Sequence, residues 1–117
     1  MGIDNGVSGT IGILDEEGQA YLYHTPVKSD LNYQKTKVKH ITRIDVNALR
    51  ALLKKFLYKD GIGDPLSTKM SMKAAIERPM VNPMRFEATT SALRALEATL
   101  IVLESLGIGY QYMDSKD

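Results

Sequence analysis

The sequence predicts an α/β fold built on a mixed β-sheet. Short apolar runs that read as strands crowd the first 24 residues, before any helical periodicity begins. Two helical patterns follow, and each is trailed by another short apolar run. A cluster of strands and then helix–strand alternation fits an antiparallel meander continued by parallel crossovers. The 117 residues suit one domain with one core.

Residues 1–4 read as the first strand, 10–14 as the second and 19–24 as the third. Between the last two, Asp15-Glu16-Glu17-Gly18 is a polar cluster ending in glycine, as a hairpin loop requires. In the third strand Ala20, Leu22 and His24 fall on one side, and Tyr21 and Tyr23 on the other. Residues 27–43 carry Lys28, Lys35, Lys37, Lys39 and Arg43 against Asp30 alone. They show little helical periodicity and read as an extended loop or strand excursion. Asp45 is placed to cap a helix whose apolar face is Val46, Leu49, Leu52, Leu53, Phe56 and Leu57. That helix should end near Lys59, before Asp60-Gly61, and residues 60–72 should form a loop.

MKAAIE, residues 72–77, reads as a buried strand. Arg78-Pro79 stops it, because proline has no N–H for a ladder. After a loop over 80–86, a long helix is expected from about 87 to 106. Its buried stripe reads as Leu93, Leu96, Leu100 and Leu103, with Ala92 and Ala95 allowing close approach and Gly107 as the cap. GYQYM, residues 109–113, is the last strand. The order β-β-β-α-β-α-β is that of the ribonuclease H-like fold, here as a single domain over residues 1–117.

Composition narrows the function. With 44% hydrophobic and 25% charged residues, the chain reads as a soluble globular protein. A net charge of +1 excludes a polycation, so any affinity for nucleic acid must come from how charge is distributed. The absence of cysteine excludes disulfides and thiolate metal sites and fits a reducing cytoplasm, the expected location. No signal peptide is visible, and the most apolar stretch, 93–108, is interrupted by Glu97 and Glu104 and is too polar and short to span a membrane.

Two carboxylates stand at strand ends. Asp4 closes GID and Glu77 closes AAIE, each after apolar residues that should be buried. In an α/β sheet the ends of adjacent strands bring such residues together in a cleft. Carboxylates held close repel one another, and a divalent cation relieves the repulsion. Two Mg²⁺ ions roughly 3.5–4 Å apart clamp the attacking and leaving oxygens of a phosphodiester. Gly6, Ser8 and Gly9 would leave room for a backbone phosphate beside Asp4. The plainer alternatives are a turn-forming aspartate before Asn-Gly and a salt-bridged glutamate at a strand end. The pairing of the two, within this element order, favours the metal reading.

GIDNGVSGTIGIL, residues 2–14, resembles the first catalytic segment of RuvC-type Holliday junction resolvases: a strand ending in Asp, a small turn, and a Gly-containing second strand. Residues 72–117 resemble the second segment, with a strand ending in Glu, a loop, a long Ala-rich helix and a short strand of aromatic and apolar residues. The resemblance is closer still to the RuvC-like proteins of phage and prophage genomes. It implies a structure-selective endonuclease of the ribonuclease H-like superfamily, a homodimer that nicks branched DNA with Mg²⁺ or Mn²⁺. By that match Asp4 and Glu77 are the catalytic metal ligands. The family also uses acidic residues at the start of a helix after the last strand. The sequence shows no such helix, so it reads as C-terminally truncated; Asp114 and Asp117 are not equated with those ligands.

Lys35, Lys37 and Lys39 alternate and would share one side of an extended segment, while Arg78, Asn82 and Arg85 flank the expected cleft; these six are the candidate DNA contacts. Tyr33 and Phe86 could stack on unpaired bases. His24 and His40 lack metal-ligand spacing and read as structural and surface residues. The four methionines at 70, 72, 80 and 84 read as gap fillers. One alternative is a non-catalytic ribonuclease H-like domain that binds DNA or a protein. Another is a nucleotide-binding fragment, because GIDNGVSGTIGILDEEG also resembles the first phosphate loop of sugar kinases and actin-like ATPases. That family needs a second phosphate motif, and none follows residue 14.

Overall fold

Ile3, Ile11 and Ile13 alternate with small or polar residues, and a pleated strand sends alternate side chains to one face. The computed structural model, which describes residues 1–31, 40–79 and 82–114, puts all three isoleucines in the core. Strand β1 (Gly2–Ile3) pairs antiparallel with β2 (Thr10–Leu14), Ile3 opposite Ile11, and β2 pairs antiparallel with β3 (Ala20–His24). On its other edge β1 pairs in parallel with β6 (Lys73–Glu77), which pairs in parallel with β7 (Gly109–Met113). The result is a mixed five-stranded sheet in the order β3-β2-β1-β6-β7.

Residues 27–44 hold more regular structure than the sequence suggests. Strands β4 (Val27–Leu31) and β5 (His40–Ile44) form a separate antiparallel ribbon, so two strands are added to the expected order between β3 and the first helix. The reason for the difference is physical. The ribbon is mostly exposed, Ile44 is its buried side chain, and an exposed ribbon needs no apolar alternation. Asp30 pairs with Arg43 across it at 3.3 Å.

Helix α1 (Val46–Leu57) begins where the sequence places it: the Asp45 carboxylate accepts from the Ala48 N–H at 3.1 Å. Leu49, Leu53 and Leu57 are buried, and Phe56 meets Tyr21 and Tyr23 with ring centroids 5.1 and 6.0 Å apart. The tyrosine side of β3 is thus the inner one, and Leu22 is exposed. Helix α2 (Phe86–Ser105) is rotated relative to the expected stripe. Ala95, Thr99, Val102 and Leu103 are its buried residues, whereas Leu93 is 44% exposed. Thr99 satisfies its hydroxyl on the Ala95 carbonyl at 2.9 Å, which lets a polar residue sit in the core face.

Gly107 ends α2 with φ +71°, its N–H donating to the Glu104 carbonyl and that of Ile108 to Leu103, a complete Schellman cap. The core joins one face of the sheet to both helices. No helix among the described residues is long and apolar enough to cross a membrane.

Candidate functional site

The register of the two central strands builds the site. Ile3 lies beside Ile76 in the parallel β1–β6 pair, and both point into the core. The residues that follow are Asp4, just past the end of β1, and Glu77, the last residue of β6. They line one cleft of about 250 Å³ with Asn5, Arg78, Pro79 and Ala92. A wider groove of about 450 Å³ lies between the β4–β5 ribbon and α2, lined largely by apolar residues such as Leu31, Ile41 and Ile101. The paired carboxylates line the smaller cleft.

Asp4 is fixed by its backbone. Its N–H donates to the Thr10 carbonyl at 3.0 Å, and Gly9 donates to Gly6 at 3.1 Å, folding residues 4–10 into a tight loop. A Cβ on Gly9 would run into the carbonyl oxygen of Asp4. The small residue here makes room for the chain's own backbone, a constraint additional to any phosphate the loop receives. Asn5 extends the hold: its Nδ2 donates to the Ala92 carbonyl of α2 at 3.2 Å, tying the loop to the helix. Its Oδ1 is buried without a hydrogen-bond partner among the described residues.

The nearness of Asp4 holds the Glu77 carboxyl above the usual carboxylate range. A hydrogen bond between the two carboxyl groups contributes most, the Asp4 charge next, and loss of solvent least. The pair therefore has an unmet demand for positive charge, which a proton meets at low pH. Its oxygen donors are those that Mg²⁺ and Mn²⁺ take, so the donor chemistry fits either ion. Among the described residues no group of three or more His, Cys, Asp or Glu side chains gathers at one point.

Arg78 follows Glu77 and lines the cleft. Its N–H donates to the Met113 carbonyl at 2.9 Å, its Nε lies 3.3 Å from Asp114 Oδ1, and its guanidinium sits 5.3 Å from the centre of the Tyr112 ring. Asn82 works in the turn before α2: its Oδ1 accepts from the Met84 N–H at 3.0 Å, and its backbone exchanges hydrogen bonds with the Thr89 hydroxyl. Arg85 is exposed at the helix entry, beside Met84 and Phe86, which are 91% and 76% exposed. His24 and His40 are exposed on β3 and β5. Lys35, Lys37, Lys39 and Tyr33 lie outside the described residues.

Three residues make contacts here that the sequence does not show. Gly9 reads from the sequence as room for a phosphate, but its close approach to the Asp4 carbonyl depends on the fold. Asn5 and Asp114 adjoin recognisable positions, yet their partners lie 87 and 36 residues away in the chain. No protein-family model matches the chain, and no curated protein matches it.

Proposed function

We propose that this chain is a ribonuclease H-like domain of the RuvC-like kind, a metal-dependent endonuclease that nicks branched DNA. The observation that carries the reading is the placement of Asp4 and Glu77 side by side at the ends of two parallel central strands. The sheet supports it: with the β4–β5 ribbon set aside, the chain runs β-β-β-α-β-α-β, with an antiparallel meander and parallel crossovers. Asp4 and Glu77 would hold Mg²⁺ or Mn²⁺. A divalent ion held there would supply a water of lowered pKa as nucleophile and offset charge on the phosphodiester.

The chain's own residues do the rest. The tight loop around Gly9 and the Asn5–Ala92 bond hold the Asp4 backbone in register with β6. Arg78 and Arg85 place positive charge at and beside the cleft, where a DNA backbone would pass. A homodimer would present two such clefts to the paired strands of a four-way junction.

The test is a gel assay on a synthetic four-way junction and a linear duplex, with Mg²⁺ or Mn²⁺, using the parent and Asp4→Asn. Symmetric nicking of the junction that Asp4→Asn loses is the expected result. A junction-selective shift without metal-dependent nicking would instead favour the non-catalytic binding reading. ATP binding in place of either would favour the nucleotide-binding one.

A further inference from the structure

Asp114 follows β7, the neighbour of the Glu77 strand, yet its carboxylate bonds to Arg78. Nε of Arg78 is 3.3 Å from Asp114 Oδ1, and the guanidinium lies over the Tyr112 ring at 5.3 Å. An acceptor on Nε and an aromatic ring nearby restrict how the guanidinium turns. The pair of Nη nitrogens is then left as the donor edge. That edge matches the two oxygens of a phosphate in a bidentate contact. The Arg78 side chain is 61% exposed and also lines the cleft of Asp4 and Glu77. An exposed ion pair of this kind holds its partner only modestly, so its removal should change binding several-fold rather than by orders of magnitude.

We infer that Asp114 is a positioning residue that orients Arg78 to receive a DNA backbone phosphate at the mouth of the Asp4–Glu77 cleft. The inference rests on the nuclease reading for the nature of the ligand, and it assigns Asp114 a role distinct from metal binding. Removing Asp114 takes away a negative charge close to the DNA path. Simple electrostatics would then tighten DNA binding, whereas loss of positioning weakens it. The sign of the change therefore separates the two.

The experiment measures binding of a fluorescein-labelled four-way junction in Ca²⁺, with Mn²⁺ affinity and Tm recorded separately. Its variants are Arg78→Ala, Arg78→Lys, Asp114→Ala, Asp114→Asn and the Arg78→Ala/Asp114→Ala double variant. Arg78→Ala should weaken junction binding about tenfold, the size of one charge-assisted contact, and Arg78→Lys should recover little of it. Asp114→Ala should weaken binding several-fold, about threefold or more, with Mn²⁺ affinity and Tm unchanged. Asp114→Asn should recover most of the loss, because its amide oxygen still accepts from Nε. In the Arg78→Ala background Asp114→Ala should have no effect. Tighter or unchanged binding by Asp114→Ala overturns the inference, as does an equal loss in the Arg78→Ala background or a fall in Mn²⁺ affinity. In each of those cases the nuclease reading stands. A parent chain that binds neither Mn²⁺ nor the junction overturns both.

Discussion

Glu77 holds its proton more firmly than an ordinary glutamate because Asp4 faces it. A folded-state pKa raised above the unfolded value contributes stability below the unfolded pKa, and that contribution is lost as pH rises through the folded one. Thermal unfolding should therefore show a Tm that declines as pH rises through the upper carboxylate range. Asp4→Asn should remove the decline, and millimolar Mg²⁺ should blunt it in the parent. A decline that persists in Asp4→Asn would place its cause elsewhere. Asp60 has the opposite sign. Backbone N–H groups of Ile62 and then Gly63 donate to its carboxylate and lower its pKa. Its contribution is present above the unfolded pKa and lost as pH falls through the folded one, so Asp60→Ala should lower Tm at neutral pH and matter little in strong acid. Gly9 makes a different demand. Gly9→Ala drives a methyl group into the Asp4 carbonyl and should disturb the carboxylate pair, read as weaker Mn²⁺ binding together with a lower Tm.

Element by element, the sequence is most informative where one local force decides. Asp45 caps α1 as its side chain and position require, and Gly107 closes α2 because the cap needs a positive φ. Gly107→Ala should cost about 1–2 kcal/mol in chemical denaturation, the penalty of a Cβ in the left-handed region. Leu53→Ala, at a fully buried position of α1, should cost about 2–5 kcal/mol through lost contacts and a cavity. The same local logic misplaces the stripe of α2, since Leu93 and Ile101 are as apolar as the residues that are buried. Tertiary packing selects Ala95, Thr99 and Val102, and the Thr99 hydroxyl succeeds there only because its own helix accepts its hydrogen bond. The β4–β5 ribbon was legible only as an extended loop or strand excursion, for the converse reason: exposure leaves it without the alternation that marks a half-buried strand. The meeting of Asp4 and Glu77 in one cleft was legible because a carboxylate after an apolar strand is unusual. Asn5–Ala92 and Arg78–Asp114 were not, because long-range pairing leaves no local trace.

Across the whole molecule, one sheet face carries the core and the other is open. Along one row of that open face lie Leu22, Gly12, Gly2, Ala75 and Gln111, none of them buried. Asp4 and Glu77 lie at the ends of β1 and β6, in a cleft that α2 borders through Ala92. A net charge of +1 makes any DNA affinity a matter of a few placed cations. Junction binding should weaken with salt, and Arg78→Ala should lower the salt slope by about one, the signature of one lost phosphate contact. The central claim is that Asp4 and Glu77 form one divalent-cation site, and the most direct measurement is a Mn²⁺ titration followed by electron paramagnetic resonance on the parent, Asp4→Asn and Glu77→Gln, with circular dichroism to check the fold. The account predicts binding by the parent and its loss in both folded variants. Equal affinity in all three proteins would contradict it.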